Sequence, residues 1–105
     1  MGTINSSAVM IYDISDDKLR KIVEKTCKSF GLSHVQRSAF VGFLEESARR
    51  SLYTELQNII EMTNYEGEVS IRIYRMQKKD YAQKLSIGHL SGFDPDPEAI
   101  DTMVI

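Results

Sequence analysis

The chain has 105 residues, 42 % of them apolar, a formal net charge of −2 and a single cysteine. That length supports one domain with a modest core, and no apolar run approaches the roughly 20 residues that cross a bilayer. Cys27 alone excludes an intrachain disulfide; with no signal peptide in view, it points to a reducing cytoplasm.

The charge is unevenly laid out. All 13 Lys and Arg fall between Lys18 and Lys84, a stretch holding eight acids, while both ends carry acids only. A basic body with acidic ends suits a polyanion bound by the body. An ordinary solvated surface explains the same layout equally well.

Residues 1–7 read as a flexible lead. Residues 8–14 form a first strand whose apolar, β-branched run suits burial on both faces, with Asp13 at its carboxyl end. Ser15, Asp16 and Asp17 then offer oxygens to the free N–H groups of a starting helix. That helix runs to about residue 30, because Leu19, Ile22, Val23, Thr26, Cys27 and Phe30 make one stripe and Lys18, Lys21, Lys25 and Lys28 face outward. Cys27 on this stripe is a packed thiol. Gly31 is the expected C′ residue.

A short strand over 33–36, a connection at Arg37-Ser38 and a strand over 39–44 come next. The connection lacks the Asn-Gly or Gly-X signal of a tight hairpin, so one bent strand is the alternative. A second helix over 47–63 turns Ala48, Leu52, Leu56, Ile59 and Ile60 inward. After a turn at Asn64-Tyr65-Glu66-Gly67, residues 68–74 alternate, Val69, Ile71 and Ile73 against Ser70, Arg72 and Tyr74.

The order β-α-β-β-α-β is that of an α+β, ferredoxin-like domain with two helices on one sheet face. The other face is left uncovered and calls for a homodimer. Residues 77–83 suit a short basic helix, and 84–90 a further strand that pairs with its own or a partner's sheet edge. The domain thus spans 8–92, and 93–105 form an acidic tail.

Several chemistries fail on composition. One cysteine and two distant histidines, His34 and His89, give no zinc cluster. There is no Gly-rich phosphate loop and no nucleophile elbow. His34 reads as a solvated histidine after the turn. What survives is a carboxylate site at Asp13, since the carboxyl ends of strands are common places for chemistry. Magnesium takes one or two protein carboxylates, so two copies of Asp13 across a two-fold axis make an adequate site. Without the metal, two facing carboxylates repel and one keeps its proton to higher pH. Asp16 and Asp17 are helix-start residues, and the plain alternative for Asp13 is that it only ties down the turn.

Val9-Met10-Ile11-Tyr12-Asp13-Ile14-Ser15-Asp16-Asp17 with Leu19-Arg20, followed by the run from Gly31 to Gly42 that holds Val35-Gln36-Arg37-Ser38-Ala39-Phe40, resembles the CRISPR-associated protein 2 family. Ser70-Ile71-Arg72-Ile73-Tyr74 and Leu85-Ser86-Ile87-Gly88 continue the likeness. The resemblance implies a ferredoxin-like homodimer in which a late strand of each subunit joins the other's sheet. It implies a nuclease dependent on Mg2+ or Mn2+ acting on single-stranded RNA or double-stranded DNA. It also implies a role in CRISPR adaptation, bridging copies of the integrase partner, CRISPR-associated protein 1. The family's functional aspartate falls on Asp13, and its nearby residues on Tyr12, Arg20, Ser38 and Phe40. Arg37, on the sheet connection, is a further candidate for touching backbone phosphates. The family carries basic residues where His34 stands and near Ile22, and this chain departs there.

Three readings follow: a metal-dependent phosphodiesterase, a non-catalytic DNA-binding scaffold in the integration complex, and a related virulence-associated ribonuclease toxin. The length of the match disfavours the last.

Overall fold

The computed structural model describes residues 6–85 and residue 87. Among them the order is β1 (Ser6–Ile14), α1 (Asp17–Ser29), β2 (Ser33–Gln36), β3 (Ala39–Gly42), α2 (Glu46–Thr63), β4 (Val69–Gln77) and α3 (Lys78–Ala82). The sheet is antiparallel throughout, in the order β2-β3-β1-β4. That is the expected ferredoxin-like arrangement.

β1 lies in the middle, paired with β4 from Ser6↔Gln77 to Ile14↔Val69 and with β3 from Ala8↔Gly42 to Ile11↔Ala39. Its side chains alternate. Ala8, Met10, Tyr12 and Ile14 are buried in the core with Leu19, Val23, Cys27, Phe40, Leu52 and Leu56. Val9 is half-buried, while Ile11 and Asp13 are exposed on the opposite face. Burial of β1 on both faces is therefore not what the single chain shows, because among the described residues no second layer covers Ile11 and Asp13. The strand also starts earlier than expected: Ser6 Oγ donates to Leu44 O (2.7 Å) and Ser7 Oγ to Met76 O (3.1 Å).

α1 begins where its oxygens are. Asp16 caps it by accepting the Leu19 N–H at 2.8 Å. Its end is a Schellman motif: Leu32 N donates to Cys27 O (3.1 Å) and Gly31 N to Lys28 O (2.9 Å), with Gly31 at φ +87°. β2 and β3 are two strands joined at Arg37-Ser38, with a register shift between His34 and Gln36, so the hairpin reading holds over the bent strand. In α2, Leu52 and Leu56 are buried and Ala48, Ile59 and Ile60 pack beside them. Asn64, at φ 55°, ends it.

β4 runs on to Gln77, and α3 then folds back onto the face expected to be bare. Tyr81 meets Phe43 edge-on (5.9 Å, 78°) and joins Val41 in a small cluster with Val9, Val35 and Met76 at its margin. One end of that face is thus covered from within the chain. Among the described residues the Asp13 end stays open. The expected strand over 84–90 falls largely outside the described residues, as do most of the lead and all of the acidic tail.

Candidate nucleic-acid and metal site

Asp13 ends the central strand opposite Ser70 of β4. It is exposed, and among the described residues its carboxylate has no hydrogen-bond or ion-pair partner. Strand alternation sets Ile11 and Val9 on the same face, and the register brings Ser70, Arg72 and Tyr74 beside them. Asp13 therefore shares its face with the cation of Arg72 and with two exposed apolar groups, Ile11 and Tyr74, each 46 % accessible.

Arg20 reaches the same end of the sheet from α1. One guanidinium nitrogen donates to Ile14 O (3.3 Å) and another to Asp17 Oδ1 (2.5 Å), which leaves the group anchored yet partly open to solvent. Arg37 and Ser38 form the β2–β3 turn and are exposed. Tyr12 N–H donates to Ser38 O at 3.0 Å, tying this turn to the residue next to Asp13. Asp13, Arg20, Arg37 and Ser38 are thus gathered at one end of the sheet.

Tyr12 and Phe40 lie beneath. Both point to the helix face and are almost fully buried. The Tyr12 hydroxyl is within hydrogen-bond reach of Glu24 Oε2 (2.6 Å), Arg37 O (2.8 Å) and His34 Nε2 (3.1 Å). Burial first, and then the bond to the Glu24 carboxylate, raise its pKa above the ordinary phenol range. His34 is not the solvated histidine expected: it is half-buried and stacked on Phe40. The register sets His34 directly opposite Phe40, so both side chains share the helix-side face.

Sequence reasoning missed Glu24. Its signal is faint but present: after Asp17 it is the sole acid of α1, set among Lys21, Lys25 and Lys28 beside the apolar stripe. A separate groove of about 650 Å³ lies between α2 and the edge strand β4, over Leu56, Ile60, Val69, Ile71 and Ile73. Arg49 lines it, with its Nε buried and unpaired. Tyr12, Asp13, Arg20, Arg37, Ser38 and Phe40 do not line it.

For a metal, the donor set is small. Among the described residues no three His, Cys, Asp or Glu side chains converge. One open carboxylate per chain fits Mg2+ or Mn2+ as half of a pair, because such ions keep several waters and take one or two carboxylates.

The model of the family described as CRISPR associated protein Cas2 matches residues 7–84, from β1 to just beyond α3. The chain belongs to the Cas2 family. A CRISPR-associated endoribonuclease Cas2 of Desulforudis audaxviator is 42 % identical over 60 residues, 57 % of this chain and 55 % of the relative. The chain thus spans little more than half of that protein. A second endoribonuclease Cas2, from Pyrobaculum aerophilum, is 30 % identical over 80 residues, 76 % of this chain and 84 % of the relative. A chain of a partial Cas6-RT-Cas1–Cas2 complex superposes with a TM-score of 0.64 at 25 % identity, covering 78 % of this chain and 90 % of that one. A crystal structure of Cas2 gives 0.66 at 22 % identity, over 83 % and 91 %, which shows the fold. Among the described residues no helix is long and apolar enough to cross a membrane.

Proposed function

We propose that this Cas2-family chain is a cytoplasmic nuclease of CRISPR adaptation, cleaving phosphodiester bonds in RNA or DNA as a homodimer. Asp13 and Asp13 of the partner subunit would hold Mg2+ or Mn2+. The observation that carries this reading is the open, unpartnered Asp13 at the end of the central strand, on the one sheet face not covered by α1 and α2. The names of the relatives, endoribonucleases from two organisms, support the reaction class.

The residues divide the work by chemistry. The two Asp13 carboxylates repel each other when brought together, and a cation between them relieves that repulsion. A divalent ion bound there supplies polarisation of a phosphate and a lower pKa for an attacking water. Arg20 and Arg37 hold phosphate oxygens through charge-assisted N–H bonds, and the Ser38 hydroxyl adds a neutral donor. Arg72, on the same face, extends the positive track. Contacts of this kind are made to the backbone and read no bases, so sequence preference is weak. Tyr12 and Phe40 serve from below, by packing.

A second reading is a non-catalytic scaffold that holds DNA for a Cas1 integrase. It is supported by the likeness to a chain in a Cas6-RT-Cas1–Cas2 complex and by the single carboxylate that each chain brings.

Labelled single-stranded RNA and duplex DNA, incubated with Mg2+ or Mn2+, separate the two. The expected result is cleavage by the wild type and none by Asp13→Ala, which remains folded. Should the wild type leave both substrates intact, or Asp13→Ala cut equally well, the scaffold reading replaces the nuclease.

A further inference from the structure

The β2–β3 turn carries Arg37 and Ser38, yet nothing in its own sequence locks it. The tight hairpin turns that match sheet twist need φ > 0, and among the described non-glycine residues only Asn64 has it. Something else must fix where Arg37 and Ser38 stand.

Tyr12 reaches both turn residues. Its backbone N–H donates to Ser38 O (3.0 Å), and its hydroxyl lies 2.8 Å from Arg37 O. The hydroxyl is also 2.6 Å from Glu24 Oε2 and 3.1 Å from His34 Nε2, and that nitrogen is itself 3.2 Å from Arg37 O. A phenol has one proton to give. Two oxygens here ask for it, the Glu24 carboxylate and the Arg37 carbonyl, and the shorter, charge-assisted bond goes to Glu24. The carbonyl is then served by the His34 Nε2–H, which also reaches the phenol oxygen. With the phenol proton on Glu24, the Arg37 carbonyl keeps a donor only when His34 is protonated at Nε2. Stacking on Phe40, at 4.4 Å and 10°, holds the imidazole in the plane this requires.

We propose that His34 is a positioning residue which, donating from Nε2 to the Arg37 carbonyl while Glu24 holds the Tyr12 phenol proton, fixes the Arg37–Ser38 turn beside Asp13 for binding of the nucleic-acid backbone. The inference rests on the reading above that this turn touches phosphates. His34 itself touches no substrate; it sets the carbonyl of Arg37, and with it the direction in which two exposed side chains leave the sheet.

The structural half is tested by amide hydrogen exchange. His34→Ala is expected to speed exchange at residues 37–39 about three- to tenfold, the size of one lost net hydrogen bond, whereas Glu24→Ala, which frees the phenol proton for the Arg37 carbonyl, leaves it unchanged. Amides of α2 and β4 keep their rates. His34→Gln, which retains a donor, restores the turn. Unchanged exchange at 37–39 in His34→Ala overturns the proposal, and so does a loss spread evenly over the domain.

The functional half is a double-mutant cycle on binding of labelled RNA and duplex DNA. His34→Ala weakens binding about three- to tenfold in the wild-type background and has no effect once Arg37→Ala and Ser38→Ala are present. Equal weakening in both backgrounds means that His34 does not act through the turn, and the inference falls. If Arg37→Ala with Ser38→Ala leaves binding untouched while the exchange result holds, the network does position the turn. The contact assigned to the turn is then what is wrong.

Discussion

The His34 imidazole lies flat on the Phe40 ring, with 4.4 Å between centroids and 10° between planes. Phe40 is fully buried below it, also 5.8 Å from the Tyr12 ring. Truncating Phe40 to Ala leaves a cavity under the turn and is expected to cost about 3–5 kcal/mol. Denaturant melting checks this. Any loss of nuclease activity in that variant tracks the unfolded fraction. A base-stacking role would instead show as weaker binding by protein that is still folded.

Gly42 sits where α1's exit crosses the end of β3. A Cβ there would press on Leu32 Cδ2, and it would stand 3.1 Å from Leu32 Cα and 3.3 Å from Gly31 O. The backbone atoms belong to the Schellman turn and yield little. Gly42→Ala is expected to destabilise by about 1–3 kcal/mol, read from the shift of the denaturation midpoint at constant slope.

Stability should fall on the alkaline side. Burial, and secondarily the Glu24 charge, push the Cys27 thiol up to about 12 from an ordinary 9.0. Tyr12 is raised as well, by burial and Glu24. Both groups hold their protons in the folded chain at pH values where the unfolded chain has lost them. Their stabilising effect is therefore complete below about pH 9 and drains away as pH climbs toward 12. Urea melts between pH 7 and 11 test the slope, and Cys27→Ala should delay its onset by about one unit, to the phenol range. A flat profile would show that neither group is held protonated by the fold.

The exposed Ile11 and Tyr74 flank the Asp13 end of the open sheet face. If two chains meet there, a carboxylate at position 11 must be buried beside the Asp13 carboxylates, which repel it. Ile11→Glu is expected to leave the monomer's fold intact by circular dichroism, to shift sedimentation from dimer to monomer, and to abolish cleavage with Asp13 still in place. A dimer of undiminished affinity would move the interface elsewhere.

Local rules carried most of the fold. The stripe from Leu19 to Phe30, the Asp16 cap and the Gly31 exit all depend on neighbours within a turn or two of helix, so they could be read from spacing. The alternation of β4 and the order of elements gave the sheet, and the paired motifs around Asp13 and Phe40 gave the family. The turn-and-strand pattern also separated Asp16 and Asp17, spent on the helix start, from Asp13, which is free of that duty.

What the spacing could not hold was the contact between distant elements. α3 folding Tyr81 onto Phe43, and His34 turning inward onto Phe40, follow from which faces meet in space. The alliance of Glu24, Tyr12, His34 and the Arg37 carbonyl joins α1, β1, β2 and the turn across separations of 12 to 25 residues. A lone glutamate among lysines is indistinguishable in sequence from a solvated surface charge. Only packing, which removes water from around the phenol, makes that carboxylate the partner the phenol needs.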